Sequence, residues 1–234
     1  MDTQTRHALK GDKFAQATKT SVTWLTGHRQ GVMRWTIAGA VVLVLLIGAL
    51  IFWNMKSSAA EAALGAALDT YSAPLAEPGA PPLNGEFSTT TDRAQAANKE
   101  FLAVADKYGW LAAGAKAHYF AGVTYEDLGK NEQAEAELKK AESGGGRNLT
   151  NLAKLALAGL YRQTGRDSQA IEEYNGIIAK PSATVPATVA QLQLADLYAA
   201  TGKKDQARTL WAKVRDADKN GAAGSIAAQK LAGQ

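Results

Sequence analysis

Few residues in this 234-residue chain are of types and spacings that do chemistry. His118 stands alone, without the nucleophile or second base that acid–base catalysis needs. The paired acids Glu172-Glu173 and Asp216/Asp218 lack the further oxygen ligands of a divalent-cation loop. The segment SGGGRN at 143–148 resembles a phosphate loop only in its glycines; the Lys-Ser/Thr pair and the preceding strand are missing. Asn148-Leu149-Thr150 fits a glycosylation acceptor, a short pattern that also arises by chance. Cysteine is absent, which excludes disulfides, thiolate metal sites, cysteine nucleophiles and a cysteine-linked lipid anchor. The pairs Lys139-Lys140 and Lys203-Lys204 are too short for a nucleic-acid stripe. The residues therefore point to no catalytic group, no metal and no cofactor, and the chain reads as a non-enzyme.

What does recur is architectural. GKNEQA, GRDSQA and GKKDQA begin at Gly129, Gly165 and Gly202, and a Tyr precedes each by four residues: Tyr125, Tyr161 and Tyr198. Repetition at this period marks a stacked array of one supersecondary unit. Helical patterns flank each copy and predict pairs over 112–128 with 131–142, 149–164 with 167–179, and 185–201 with 204–217. Each Gly suits the left-handed residue past a helix end. Asn131, Asp167 and Asp205 are expected as caps of the partner helices. SGGGRN and KPSATVP (180–186) are expected connectors, and a last short helix is expected from Ser225 as a polar end-cap. Upstream, Asp92 is expected to cap a helix to Lys107 that buries Ala96, Phe101, Leu102, Val104 and Ala105. Four prolines within 73–91 predict an exposed loop there, and no convincing strand is found.

Charge and hydropathy divide the chain. WTIAGAVVLVLLIGALIFW, 35–53, carries no charge and has a Trp at each end. At 1.5 Å per residue it spans roughly 28 Å as a helix, close to the hydrocarbon thickness of a bilayer. Residues 1–34 hold six Lys/Arg against two Asp; residues 54–234 hold 20 of each sign. The whole net charge of +4 thus lies before the apolar segment. The positive-inside rule then puts the N-terminus in the cytoplasm and the larger part across the membrane. The basic pI reports that topology, and no nucleic-acid partner is expected. The segment reads as an uncleaved signal anchor; Ser57, Ser58, Ala59 and Ala60 leave cleavage as the alternative. The tail 1–34 reads as flexible, with a short surface helix over 12–26 as its alternative. Residues 54–72 form an Ala-rich juxtamembrane helix whose Ala60, Ala63, Leu64, Ala67, Leu68 and Tyr71 share one face.

Over 115–217 the pairs resemble the tetratricopeptide repeat, with repeats near 115–148, 151–184 and 188–221. Gly122, Ala158 and Ala195 match its small eighth residue, and Ala134, Ala170 and Ala207 match its Ala at twenty. Leu138, Tyr174 and Trp211 are the large residue at twenty-four; Ala141, Ile177 and Val214 follow at twenty-seven. The usual Trp at four is replaced by His118, Lys154 and Gln191. The expected fold is all-α: one transmembrane helix, then a helical-repeat solenoid over 92–234, with 57–72 and 92–107 as a divergent first pair. The resemblance implies that the first helix of each pair lines a protein-binding groove. Its residues here are Lys116, Tyr119, Val123, Glu126 and Asp127, then Leu155, Arg162 and Gln163, then Leu192 and Asp196. The Lys-then-Asn pattern that clamps a terminal carboxylate in some relatives is absent, so apolar or extended segments are the expected ligands.

The plan of basic tail, membrane helix and divergent repeats is similar to the YfgM-type family, ancillary subunits of the SecYEG translocon in Gram-negative bacteria. The stretch EFLAVADKYGWLAAGAKAHYFAGVTYEDLGKNEQAEAELKKA (100–141) carries much of the likeness. The resemblance implies a single-pass inner-membrane protein with a periplasmic C-terminal domain. Its implied partners are translocon subunits, periplasmic chaperones and exported chains. A scaffold for cytochrome maturation or cell-envelope biogenesis is the alternative, and a membrane-anchored enzyme the least favoured reading.

Overall fold

The computed structural model describes residues 29–233. The tail expected over 1–34, with its alternative surface helix at 12–26, lies almost wholly outside them. Nine α-helices follow in order among the described residues: α1 (Arg29–Ser72), α2 (Thr90–Tyr108), α3 (Ala112–Asp127), α4 (Asn131–Gly144), α5 (Arg147–Gln163), α6 (Asp167–Ala179), α7 (Ala187–Ala200), α8 (Lys204–Ala217) and α9 (Ala222–Ala232). Two compact units divide the chain, one through Lys56 and one from Ser57.

The described part of the first unit is helical, and its apolar side chains face outward. Trp35 is 81% exposed and Leu50 69%. The helix is long and apolar enough to cross a membrane, and its most apolar stretch is not buried. Such a surface is far larger than a soluble monomer leaves in water.

The second unit is a chain of helix pairs. Ala60, Leu64 and Ala67, at the end of α1, pack with Ala97, Phe101 and Val104 of α2 and Ala117 and Ala121 of α3. The middle cluster joins Leu138, Leu157, Tyr161, Tyr174, Ile177 and Leu194, and the last gathers Leu192, Trp211, Val214 and Ala227. Each helix packs on the next along the chain from α2 to α9. Of the residues expected inside α2, Phe101, Val104 and Ala105 are buried; Ala96 and Leu102 are partly covered, while Asn98 and Tyr108 are buried as well.

The repeated hexapeptide makes the turn inside each pair. Gly129, Gly165 and Gly202 have φ of 69°, 71° and 78°, the left-handed conformation that only glycine adopts cheaply. The next residue donates its N–H five residues back: Lys130 to Tyr125 O at 2.8 Å, Arg166 to Tyr161 O at 2.7 Å, Lys203 to Tyr198 O at 2.8 Å. The Gly N–H groups donate three back, to Glu126, Arg162 and Ala199. Together these bonds form a Schellman cap in all three copies. The same basic side chain lies over the same Tyr ring, at 5.9, 4.5 and 5.4 Å from its centroid. Its carbonyl then accepts the N–H of Ala134, Ala170 or Ala207, the first bond of the partner helix. One residue thus closes one helix and opens the next, which explains the spacing Tyr-x3-Gly-[Lys/Arg]-x3-Ala.

That geometry corrects the capping scheme. The caps are Lys130, Arg166 and Lys203, none with a side-chain cap bond; Asn131 and Asp167 are the first helical residues and Asp205 the second. In α2 the cap is Thr89, not Asp92: Thr89 Oγ1 accepts from Asp92 N at 3.0 Å and donates to Asp92 Oδ2 at 2.8 Å. The connector SGGGRN shrinks to Gly145-Gly146, because α4 runs to Gly144 and α5 begins at Arg147. The last helix starts at Ala222, three residues before the expected Ser225. In the Pro-rich loop an isolated parallel bridge pairs Leu75 with Phe87, and Ala76 N donates to Phe87 O at 3.0 Å, closing the loop's ends.

Close approach within pairs follows from the small residues. Ala134, Ala158, Ala170, Ala195 and Ala207 have no exposed surface. Where the repeat family carries a Trp, polar contacts to carboxylates stand instead at the first two positions. His118 Nδ1 lies 2.6 Å from Glu137 Oε2, and Lys154 Nζ lies 3.4 Å from Glu173 Oε2 and 3.1 Å from Glu142 Oε1. Gln191 takes the third position and is buried.

Candidate protein-binding face

The first helices of the first two pairs, α3 and α5, touch one another; α7 touches the end helix α9, and a hydrogen bond from Arg162 to Gln193 joins α5 to α7. The residues expected to line the groove sit on these helices, but many are already engaged. At the start of α3, Lys116 Nζ pairs with Glu61 Oε1 of α1 at 2.9 Å, both well exposed. At its end, Tyr71 Oη donates to Asp127 Oδ2 at 2.8 Å. Burial, and then Asp127, push the Tyr71 phenol up to about 12. Tyr119 is half-buried, its ring edge-on to Phe120 at 5.3 Å. Burial raises its pKa, and the nearby Glu126 adds to the rise.

Glu126 is the unusual member. It is partly buried, and its Oε1 is buried without a hydrogen-bond partner. Burial, reinforced by the charge of Asp127, pushes this carboxyl up to about 7. Desolvation disfavours the charged form, and an adjacent like charge disfavours it further.

Further along, Arg162 Nη1 donates to Gln193 Oε1 at 3.0 Å, tying α5 to α7. Its other side opens on a cleft of about 540 Å³ lined by Gly159, Arg162, Gln163, Asp167, Leu197, Ala200 and Thr201. Arg162 and the exposed Gln163 are thus brought together at an open concavity between the first helices of two repeats. Val123 is partly covered, and Leu155 packs against the middle cluster. Leu192 is only 8% exposed and packs in the last cluster. Asp196 accepts from Trp211 Nε1 at 3.2 Å and lies 3.2 Å from Lys230 Nζ, joining α7, α8 and α9.

Several partners escape a reading by repeat position. Glu61 and Tyr71 belong to α1, where the sequence pattern marks only an apolar face. Gln193 and Lys230 fall outside the groove positions. No cluster of three or more metal-ligating side chains occurs among the described residues. These helices present hydrogen-bonding groups, an arginine beside an open cleft, partly buried acids and apolar surface.

Comparison with known proteins agrees with the helical-repeat fold. The tetratricopeptide-repeat family profile matches residues 115–143, covering most of α3 and α4. The fold is a TPR-like helical solenoid. The crystal structure of nearly identical TPR-like repeats from a Podosopora anserina kinesin light chain superposes with a TM-score of 0.51 at 17% identity, covering 60% of this chain and 77% of that one. A single-substitution variant of those repeats superposes with the same TM-score of 0.51 and the same 17% identity, covering 60% of this chain and 76% of that one. At this identity the likeness speaks for the fold. No curated protein matches the chain. TPR-like arrays are typically non-catalytic scaffolds for protein–protein interaction, because their stacked units present extended surfaces.

Proposed function

We propose that this protein is a single-pass, membrane-tethered scaffold of the cell envelope, ancillary to the Sec translocon. In this reading α1 spans the inner membrane with the N-terminus cytoplasmic, and the solenoid stands in the periplasm. There it binds exported chains, periplasmic chaperones or translocon subunits. The observation that carries the reading is an interaction solenoid and a fully exposed apolar helix in one chain. The charge asymmetry supports the orientation, since every excess cation precedes the apolar segment. The YfgM-type resemblance supports the choice of machine. A groove tethered beside a membrane machine meets its ligand at high effective concentration, so weak contacts suffice.

Two experiments test this. Co-purification of the full chain from mild detergent is expected to recover translocon subunits. Recovery of cytochrome-assembly or cell-wall proteins instead would assign it to another envelope machine. Protease added to intact spheroplasts is expected to digest the solenoid; digestion only after lysis would reverse the orientation.

A further inference from the structure

An unpaired carboxylate on a binding face needs a reason. Charged groups that leave water without a partner are costly, and folded proteins seldom retain them without use. Glu126 Oε1 is such a group: buried, with no hydrogen-bond donor, in the last turn of α3. The helix terminus compounds the deficit, because α3 has no basic residue in its last turn and its carbonyl end is itself negative. The surrounding groups do not repair it. Asp127 is a second acid and is turned to Tyr71 of α1. Tyr119 shares the helix, and its own pKa is raised by burial and then by Glu126. Arg93 of α2 lines a cavity of about 270 Å³ with Tyr71 and Asp127; its Nη1 donates to Ala73 O at 2.9 Å, its Nε is buried without a partner, and no hydrogen bond joins it to Glu126.

Building on the groove reading, we propose that Glu126 is the recognition site for a lysine or arginine side chain of an extended segment of another protein. Glu126 is only partly buried, and its negative charge is shared by both oxygens, so a ligand cation meets the charge at the carboxylate's solvent side while the inner oxygen stays covered. Charge complementarity selects the occupant: two adjacent acids at a helix C-terminus favour a cation and repel an acidic chain. The next repeat fixes the register. Arg162 stands 36 residues on, at the equivalent turn of α5 (162 minus 126), so a ligand cation is accepted in the first repeat and rejected in the second. Because the unliganded carboxyl titrates at about 7, capture of a cation is accompanied by proton release near neutrality.

The test uses the full chain in detergent micelles and capped nonapeptides of alternating threonine and valine with a central arginine, citrulline or glutamate. Binding is read by fluorescence anisotropy against empty micelles. At pH 8 the arginine peptide is expected to bind about tenfold tighter than its isosteric citrulline counterpart, and the glutamate peptide weakest. At pH 5.5 the arginine advantage should shrink to about twofold or less as Glu126 protonates. Glu126→Gln should bring arginine down to citrulline affinity and leave citrulline binding unchanged. Equal affinities for all three peptides, or an arginine advantage that survives Glu126→Gln, would overturn this site while leaving the groove reading intact. Failure of every peptide to bind would overturn both.

Discussion

Gly122 is the point at which the packing rule of the array can be tested most sharply. Its counterparts in the next two repeats are Ala158 and Ala195, both fully buried. In the first repeat even a methyl is excluded. A Cβ at Gly122 would lie 2.6 Å from Leu138 Cγ, 2.8 Å from Leu138 Cδ2 and 3.2 Å from Ala134 O. Carbon atoms in van der Waals contact sit about 3.5–4.0 Å apart, so helices α3 and α4 must separate by roughly 1 Å or Leu138 must leave its rotamer. Such overpacking costs about 1–3 kcal/mol. Against it, Gly→Ala in a helix interior gains about 1 kcal/mol of propensity. Gly122→Ala should therefore be destabilising by about 0–2 kcal/mol, where a free helix would be stabilised. The clash is with Leu138 Cγ and Cδ2; Met keeps a Cγ but loses the branch, and its flexible unbranched chain can swing Cγ aside, so Leu138→Met should relieve it. In the Met background Gly122→Ala should become neutral or stabilising, giving a coupling energy of about 1–2 kcal/mol. The cycle is measured by urea denaturation of the full chain in mild detergent, followed by far-ultraviolet circular dichroism. Additivity within about 0.5 kcal/mol would refute the argument that Leu138 dictates glycine at this position.

Other outcomes follow from the same geometry. Ala170→Trp places an indole at a site with no exposed surface, and should cost about 1–3 kcal/mol or more and lower the melting temperature cooperatively; an unchanged melt would contradict the close contact of α5 with α6. Gly165→Ala should cost about 1–2 kcal/mol purely through its φ of 71°, since no atom lies within 4 Å of the added Cβ. Gly159→Ala, equally uncrowded but inside α5, should instead stabilise by about 0.5–1 kcal/mol; equal effects of the two would remove the turn argument. Glu126 titrates near 7 when folded and 4.5 as its reference, so the folded state holds the extra proton between these values. Its contribution is then most favourable below pH 4.5 and is lost as pH rises through 7. With solvent screening discounted, Glu126→Gln should be neutral at about pH 4 and stabilising by about 1 kcal/mol at about pH 8, and a pH-independent difference would refute the assigned burial.

How much of this was legible in the chain depends on how local each cause is. The Tyr-x3-Gly-[Lys/Arg]-x3-Ala spacing encodes a complete turn: cap, ring contact and close-packed Ala all fall within ten residues, from Tyr125 to Ala134. The displacement of the caps, one residue from Asn131 and Asp167 and two from Asp205, has a physical origin. Side-chain capping rules favour Asn131 and Asp167, but the preceding Schellman cap has already fixed the backbone of Lys130 and Arg166, whose carbonyls start the next helix. The glycines of SGGGRN mislead similarly. Gly144 stays helical, facing Ala115 at a distance of 3.5 Å from its would-be Cβ, so tertiary contact overrides a weak propensity. The candidate face is the least local feature. Tyr71 reaches Asp127 across 56 residues, and Lys116 reaches Glu61 across 55. Repeat position finds Asp127 and Lys116 but is silent on the helix that holds them. The loss of the family's Trp also leaves no direct trace of its replacement. His118 and Lys154 meet acids 19 residues on, a coincidence that becomes an interaction only when two helices fold back on a shared turn. The consequence for binding is that the face is narrower than repeat position implies. Leu192 and Asp196 work within the solenoid, whereas Glu126 and the Arg162–Gln163 cleft still offer unmet charge or open volume to a ligand.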